Sequence, residues 1–151
     1  MVTNWKKFKQ KFGTSTTTMS ELISYAHHLK LKPFRCVMRD QVKDLPQYGY
    51  FIINIQTNKA NGAHWSAVYS DPNKVYFFDS YALPPNVMYP EIAKKFNHTT
   101  NRICGDKDEQ IQTYGKEYCG QMALYFLYRI SKGSSYKDIL QDIKRTENVV
   151  T

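Results

Sequence analysis

Cysteine is scarce in this 151-residue sequence: Cys36, Cys104 and Cys119 are the three, an odd number with no CxxC pair. That argues against a disulfide framework and against a zinc site. No stretch approaches the roughly 20 apolar residues of a membrane span, so no membrane association is expected. The opening residues, MVTNWKKFKQ, lack the apolar core of a signal peptide. The protein is therefore expected not to be secreted and to work in a reducing compartment where a thiol survives. The sequon NHT at 97–99 carries no weight without secretion. Internal repeats and low-complexity blocks are also missing. Acidic residues run short, 13 against 21 basic ones, leaving a net charge of +8.

What is present fits a single globular domain over residues 1–151. The hydrophobic fraction is 42% and the aromatic fraction 15%, with twelve tyrosines that suit strands and half-buried surfaces. A chain of this length buries about two thirds of its surface and needs no metal or disulfide staple. The positive charge gathers in WKKFKQK near the start, KLK at 30–32 and KK at 94–95. Such an excess favours polyanions through counterion release, though it serves equally as a solvated surface.

The pattern predicts an α+β layout. Residues 4–13 are basic and aromatic, and TSTTT at 14–18 reads as a loop. A helix through ELISYAHHLKL carries Leu22, Ile23, Ala26 and Leu29 on one face, with Ser20 as its expected cap. His27 and His28, being adjacent, point to different faces and read as surface residues. YGYFIINIQT at 48–57 predicts a buried strand. HWSAVYS at 64–70 and VYFFDS at 75–80 predict a hairpin around the turn DPNK. PEIAKKF at 90–96 predicts a helix, and SSYKDILQDIKR a last one capped near Ser134 or Ser135. In KEYCGQMALYFLYRI, residues 116–130, the apolar positions Met122, Ala123, Phe126, Leu127 and Ile130 recur at helical spacing, with Cys119 in the first turn.

A cysteine beside a buried helix is more often core filling than a nucleophile. Cys119 gains a second meaning from the hairpin. Pairing Ser70 with Val75 sets Asp79 opposite Ser66 and makes His64 its diagonal neighbour. A register slip by one residue would break this. A carboxylate beside an imidazole fixes its tautomer and supports its protonated form. A helix N-terminus and an imidazolium both favour a thiolate. Cys119, His64 and Asp79 thus make a nucleophile, a base and an orienting acid. Asp71 is a weaker candidate acid, already explained by the turn. Trp65 fits either core packing or a cover over the imidazole. For the oxyanion, the Cys119 amide and a side-chain amide are suited; Gln110, Gln112 and Gln121 are all candidates on chemistry.

GAHWSAVYS, VYFFDS and QTYGKEYCG, in that order, resemble the adenovirus maturation protease family, the adenains. The stretch ELISYAHHLKLKPFRCVMRDQVKDLPQYGYFIIN is similar to the short adenain-like proteases of virophages and Maverick/Polinton elements. The resemblance implies an α+β fold with a central mixed sheet packed against the helix of the catalytic cysteine. It assigns His64 as base, Asp79 as orienting acid, Cys119 as nucleophile and Gln112 as oxyanion donor, the last by its spacing of seven residues from Cys119. SUMO-specific proteases share the set, with the glutamine one residue closer and an acid in the place of Tyr118. Two departures stand out: adenain has Glu where this chain has Asp79, and the chain is shorter than adenain.

The resemblance further implies a cysteine endopeptidase that cleaves capsid precursor polypeptides after Gly-Gly or Gly-x sites during virion maturation. It would act as a monomer, in the virion and in the cytoplasm or nucleus of the infected cell, with no cofactor needed for the chemistry. DNA and a short viral peptide are implied as activators, and Cys104 lies loosely where adenain bonds that peptide. Two alternatives stand beside this: a deubiquitinase or SUMO-type isopeptidase, and a non-catalytic basic DNA-binding protein.

Overall fold

The structure, a computed structural model, describes residues 4–54, 64–79, 90–96 and 118–147. The first helix, α1, spans Trp5–Phe12, and Asn4 caps it by accepting the Lys7 N–H at 2.9 Å. Trp5 and Phe8, three apart, point inward, while Lys6, Lys7 and Lys11 stay in solvent. The basic stretch is thus an amphipathic helix whose inner stripe is aromatic. Helix α2 spans Met19–His28. Its cap is Thr18 rather than Ser20: Thr18 and Glu21 exchange the two bonds of a capping box, at 3.0 and 3.1 Å. The S/T-x-x-E signature begins two residues before Ser20.

Four strands follow: β1 (Phe34–Met38), β2 (Gly49–Asn54), β3 (Trp65–Ser70) and β4 (Val75–Phe78). They form one mixed sheet in the order β1-β2-β3-β4, with β1 parallel to β2 and the other pairs antiparallel. A 3-10 turn, Arg39–Asp44, leads out of β1. Ser70 pairs with Val75 and Ala67 with Phe78, the expected hairpin register. Asp71 holds the turn by accepting the N–H groups of Asn73 and Lys74 at 2.8 and 2.9 Å. Helix α3 covers Pro90–Lys95, α4 Cys119–Ser131 and α5 Tyr136–Glu147, the last capped by Ser135, whose hydroxyl accepts the Asp138 N–H. Among the described residues no helix is long and apolar enough to cross a membrane.

The sheet is covered on both faces. Ile52, Ala67 and Phe78 face α4, where Met122, Ala123, Phe126 and Leu127 are fully buried. Phe51, Ile53, Val68, Val75 and Phe77 face the other way, onto Val42, Leu45, Ile92 and Phe96. Burial on both faces explains why β2 reads FIIN with no polar alternation. Helix α4 lies between the sheet on one side and α1, α2 and α5 on the others. It is buried on every side from Cys119 to Tyr128, so its own sequence is apolar almost all round.

Candidate active site

His64 directly precedes β3, Asp79 directly follows β4, and Cys119 is the first residue of α4. Antiparallel pairing of β3 and β4 brings the start of one to the end of the other, so both site positions lie at one end of the hairpin. His64 Nε2 lies 2.9 Å from Asp79 Oδ2. The same carboxylate oxygen accepts the Ser66 hydroxyl at 2.6 Å. The Asp79 side chain is 1% exposed and the His64 side chain 10%. A buried carboxylate is costly without hydrogen-bond donors, and Ser66 and His64 both supply one to Asp79 Oδ2.

Cys119 lies close enough to the same imidazole to act on its charge. Burial pulls the imidazole's pKa down, but its bond to Asp79 and the nearby charges of Asp79 and Cys119 outweigh burial and push it up to about 9. The ring is thus held as an imidazolium between two acids, a carboxylate on one side and a thiol on the other. This arrangement can deprotonate the thiol, store the proton and return it to a leaving group.

Cys36 shows what an ordinary core thiol looks like in the same fold. It is buried on β1, and burial alone pushes its pKa up to about 12. Among the described residues no base approaches it in the way His64 approaches Cys119.

Three elements converge beside Cys119. Gly120 lies so close to Thr17 that a Cβ there would collide with the Thr17 hydroxyl; it would also come within 3.2 Å of Trp65 Cδ1. Thr17 itself is buried at 5% exposure. Gln121 fastens the same loop by donating to the Ser15 carbonyl at 2.7 Å. Residues 15–17, read from sequence as a plain loop, therefore pack against the start of α4. Trp65 is 5% exposed and packs in the same core as Met122. It is a core residue, and it abuts the residue after Cys119.

Gln121, committed to Ser15, is removed from the candidates for the oxyanion. Gln110 and Gln112 lie outside the described residues, as does Cys104. Asp71 is occupied at the far end of the hairpin, where it also accepts the Tyr69 hydroxyl at 2.7 Å. His27 and His28 are exposed on α2, as expected. Ser66 was not foreseen as a site residue, although the register that set it opposite Asp79 was enough to find it. Among the described residues no group of three or more His, Cys, Asp or Glu side chains gathers to hold a metal ion. No protein-family model matches the chain, and no curated protein matches it.

Proposed function

We propose that this chain is a cysteine endopeptidase with an adenain-like fold, acting on capsid precursor polypeptides at Gly-Gly or Gly-x sites. The observation that carries the reading is the buried carboxylate–imidazole pair, Asp79 Oδ2 to His64 Nε2 at 2.9 Å, beside the thiol at the start of α4. An apolar core has no use for a charged imidazole beside a thiol, since desolvating the charge is costly. A nucleophilic site requires it.

In the proposed reaction His64 holds the proton of Cys119, and the thiolate adds to the peptide carbonyl carbon. The C–S bond forms as the carbonyl π pair moves to oxygen. That oxyanion is held by the Cys119 N–H and by the side-chain amide of Gln112. The imidazolium then protonates the amide nitrogen, the C–N bond breaks, and the amine leaves. Water, deprotonated by His64, adds to the thioester and releases the acid. Asp79 keeps the ring in orientation throughout, and Ser66 keeps Asp79 in place. The basic surface supplies an electrostatic attraction for DNA, which would serve as an activator.

The test is co-incubation with a capsid precursor carrying Gly-Gly or Gly-x junctions, beside a reporter fused to the C-terminus of ubiquitin. The proposal expects precursor fragments from wild type and none from Cys119→Ala. Cleavage of the ubiquitin reporter alone would move the protein to the isopeptidases. Cleavage of neither, with or without DNA, would contradict the reading.

A further inference from the structure

Tyr118, the residue directly before the nucleophile, is tied to both ends of the described chain through one carboxylate. Its hydroxyl donates to Glu147, in the last turn of α5. The same carboxylate accepts the Trp5 indole N–H at 2.7 Å and the Lys9 ammonium at 2.7 Å, both from α1. The Trp5 ring packs 6.0 Å from the Tyr118 ring, and the Lys9 ammonium lies 5.2 Å from that ring's centroid. A second carboxylate, Asp142, docks the start of α1 by accepting the Trp5 backbone N–H at 3.0 Å, and it also accepts from Tyr125 on α4 and from Arg129 at 3.1 Å.

Two features single out Glu147 among these. An acid in the last turn of a helix opposes the helix dipole, so its own helix gives no reason for it there. Its donors come from outside that helix, and one of them adjoins Cys119. Helix α4, in turn, starts without a local fastener: Tyr118 is its cap residue, and no side chain there bonds the first-turn amides. The backbone that aims the Cys119 thiol is therefore held through the Tyr118 side chain.

We infer that Glu147 is a positioning residue, which through Tyr118 and with Trp5 and Lys9 sets the placement of the Cys119 thiol against His64. The inference rests on the protease reading and adds to it a brace made of the N-terminal and C-terminal helices. Misplacing a reacting group by about 1 Å can cost on the order of a hundredfold in rate. Losing one tether to a buried residue would shift it by less.

The test compares wild type, Tyr118→Phe, Glu147→Ala, the double variant and His64→Ala. Two readouts are needed: the pH dependence of Cys119 alkylation by iodoacetamide, and kcat and KM for precursor cleavage. Tyr118→Phe keeps the buried ring and removes only the bond to Glu147. We expect its kcat to fall about tenfold with KM little changed, and its alkylation limb to move up toward the free-thiol value of about 8.5. The double variant should be no worse than Glu147→Ala, because both act through one bond. If Glu147→Ala fails to fold, Tyr118→Phe decides alone. A merely structural role would lower the melting temperature and leave limb and kcat in place, which overturns the inference while the His64-dependent limb of wild type keeps the protease reading. A wild-type limb that His64→Ala does not alter overturns both.

Discussion

His64 is charged in this fold against the pull of its own burial, and Asp79 is the first of the groups that reverse it. Asp79→Asn removes the charge and leaves the shape. The His64 Cε1–H resonance should then titrate below the wild-type value of about 9, followed by NMR across pH. Precursor cleavage should fall roughly a hundredfold or more, since an unoriented base loses most of what acid–base catalysis supplies. A second consequence concerns stability. The folded pKa of about 9 lies above the ordinary 6.5, so the stability contributed by the charged ring is complete below 6.5 and is lost as pH rises through about 9. In urea unfolding, the gap between wild type and His64→Gln should be widest below 6.5 and shrink above 9. A gap that widens with pH would contradict the assignment. These residues were legible because hairpin register is arithmetic: a DPNK turn fixes which residue faces which. The thiol's partner was not legible from spacing, since Cys119 lies 40 positions beyond Asp79 and meets His64 only through the packing of α4 on the sheet.

Helices with an aliphatic stripe were readable, even the short one at Pro90–Lys95, and the one whose stripe is aromatic was not. Helix α4 announces itself through Met122, Ala123, Phe126 and Leu127. Helix α1 has only Trp5 and Phe8 fully buried, among lysines that read as surface charge. Strand β1 lies at the edge of the sheet, with Arg35 exposed and Cys36 buried, too short and mixed to show alternation. Its pairing with β2 is parallel and depends on a partner that local pattern does not reveal. The Thr18 capping box implies that Thr18→Ala costs about 1 kcal/mol in denaturant unfolding, whereas Ser20→Ala costs almost nothing. The contact between the 15–17 loop and α4 makes a sharper prediction. Gly120→Ala should destabilise by about 1–3 kcal/mol, the range for overpacking a filled site. Adding Thr17→Ala should recover part of that loss, because the Thr17 hydroxyl is the first atom the new methyl meets. Independent, additive losses would mean the loop does not abut the helix.

The molecule as a whole is closed by its two terminal helices, which meet at Asp142 and Glu147 rather than through apolar packing alone. The Glu147 carboxyl is opposed by burial, yet bonds to Lys9, Tyr118 and Trp5 hold it below its ordinary 4.5. Its stabilising effect is thus present above 4.5 and lost as pH falls through its lower folded value. Acid titration followed by near-UV circular dichroism should show wild type losing its advantage over Glu147→Gln only below 4.5. The α+β class, the hairpin and the helix that starts at Cys119 were all readable from patterning. The brace was not, since it joins residues 5 and 147, which only the tertiary fold brings together. The same holds for the nucleophilic site, which is assembled from both sheet and helix and exists only when the whole chain is folded. Its reality is tested by the alkylation rate of Cys119 with iodoacetamide against pH, in wild type and His64→Ala, with the label located by mass spectrometry. An assembled pair predicts rapid labelling of wild type well below the free-thiol value of about 8.5, and loss of that limb in the variant. Equal labelling of the two proteins, with a limb near 8.5 whether or not DNA is added, would contradict it.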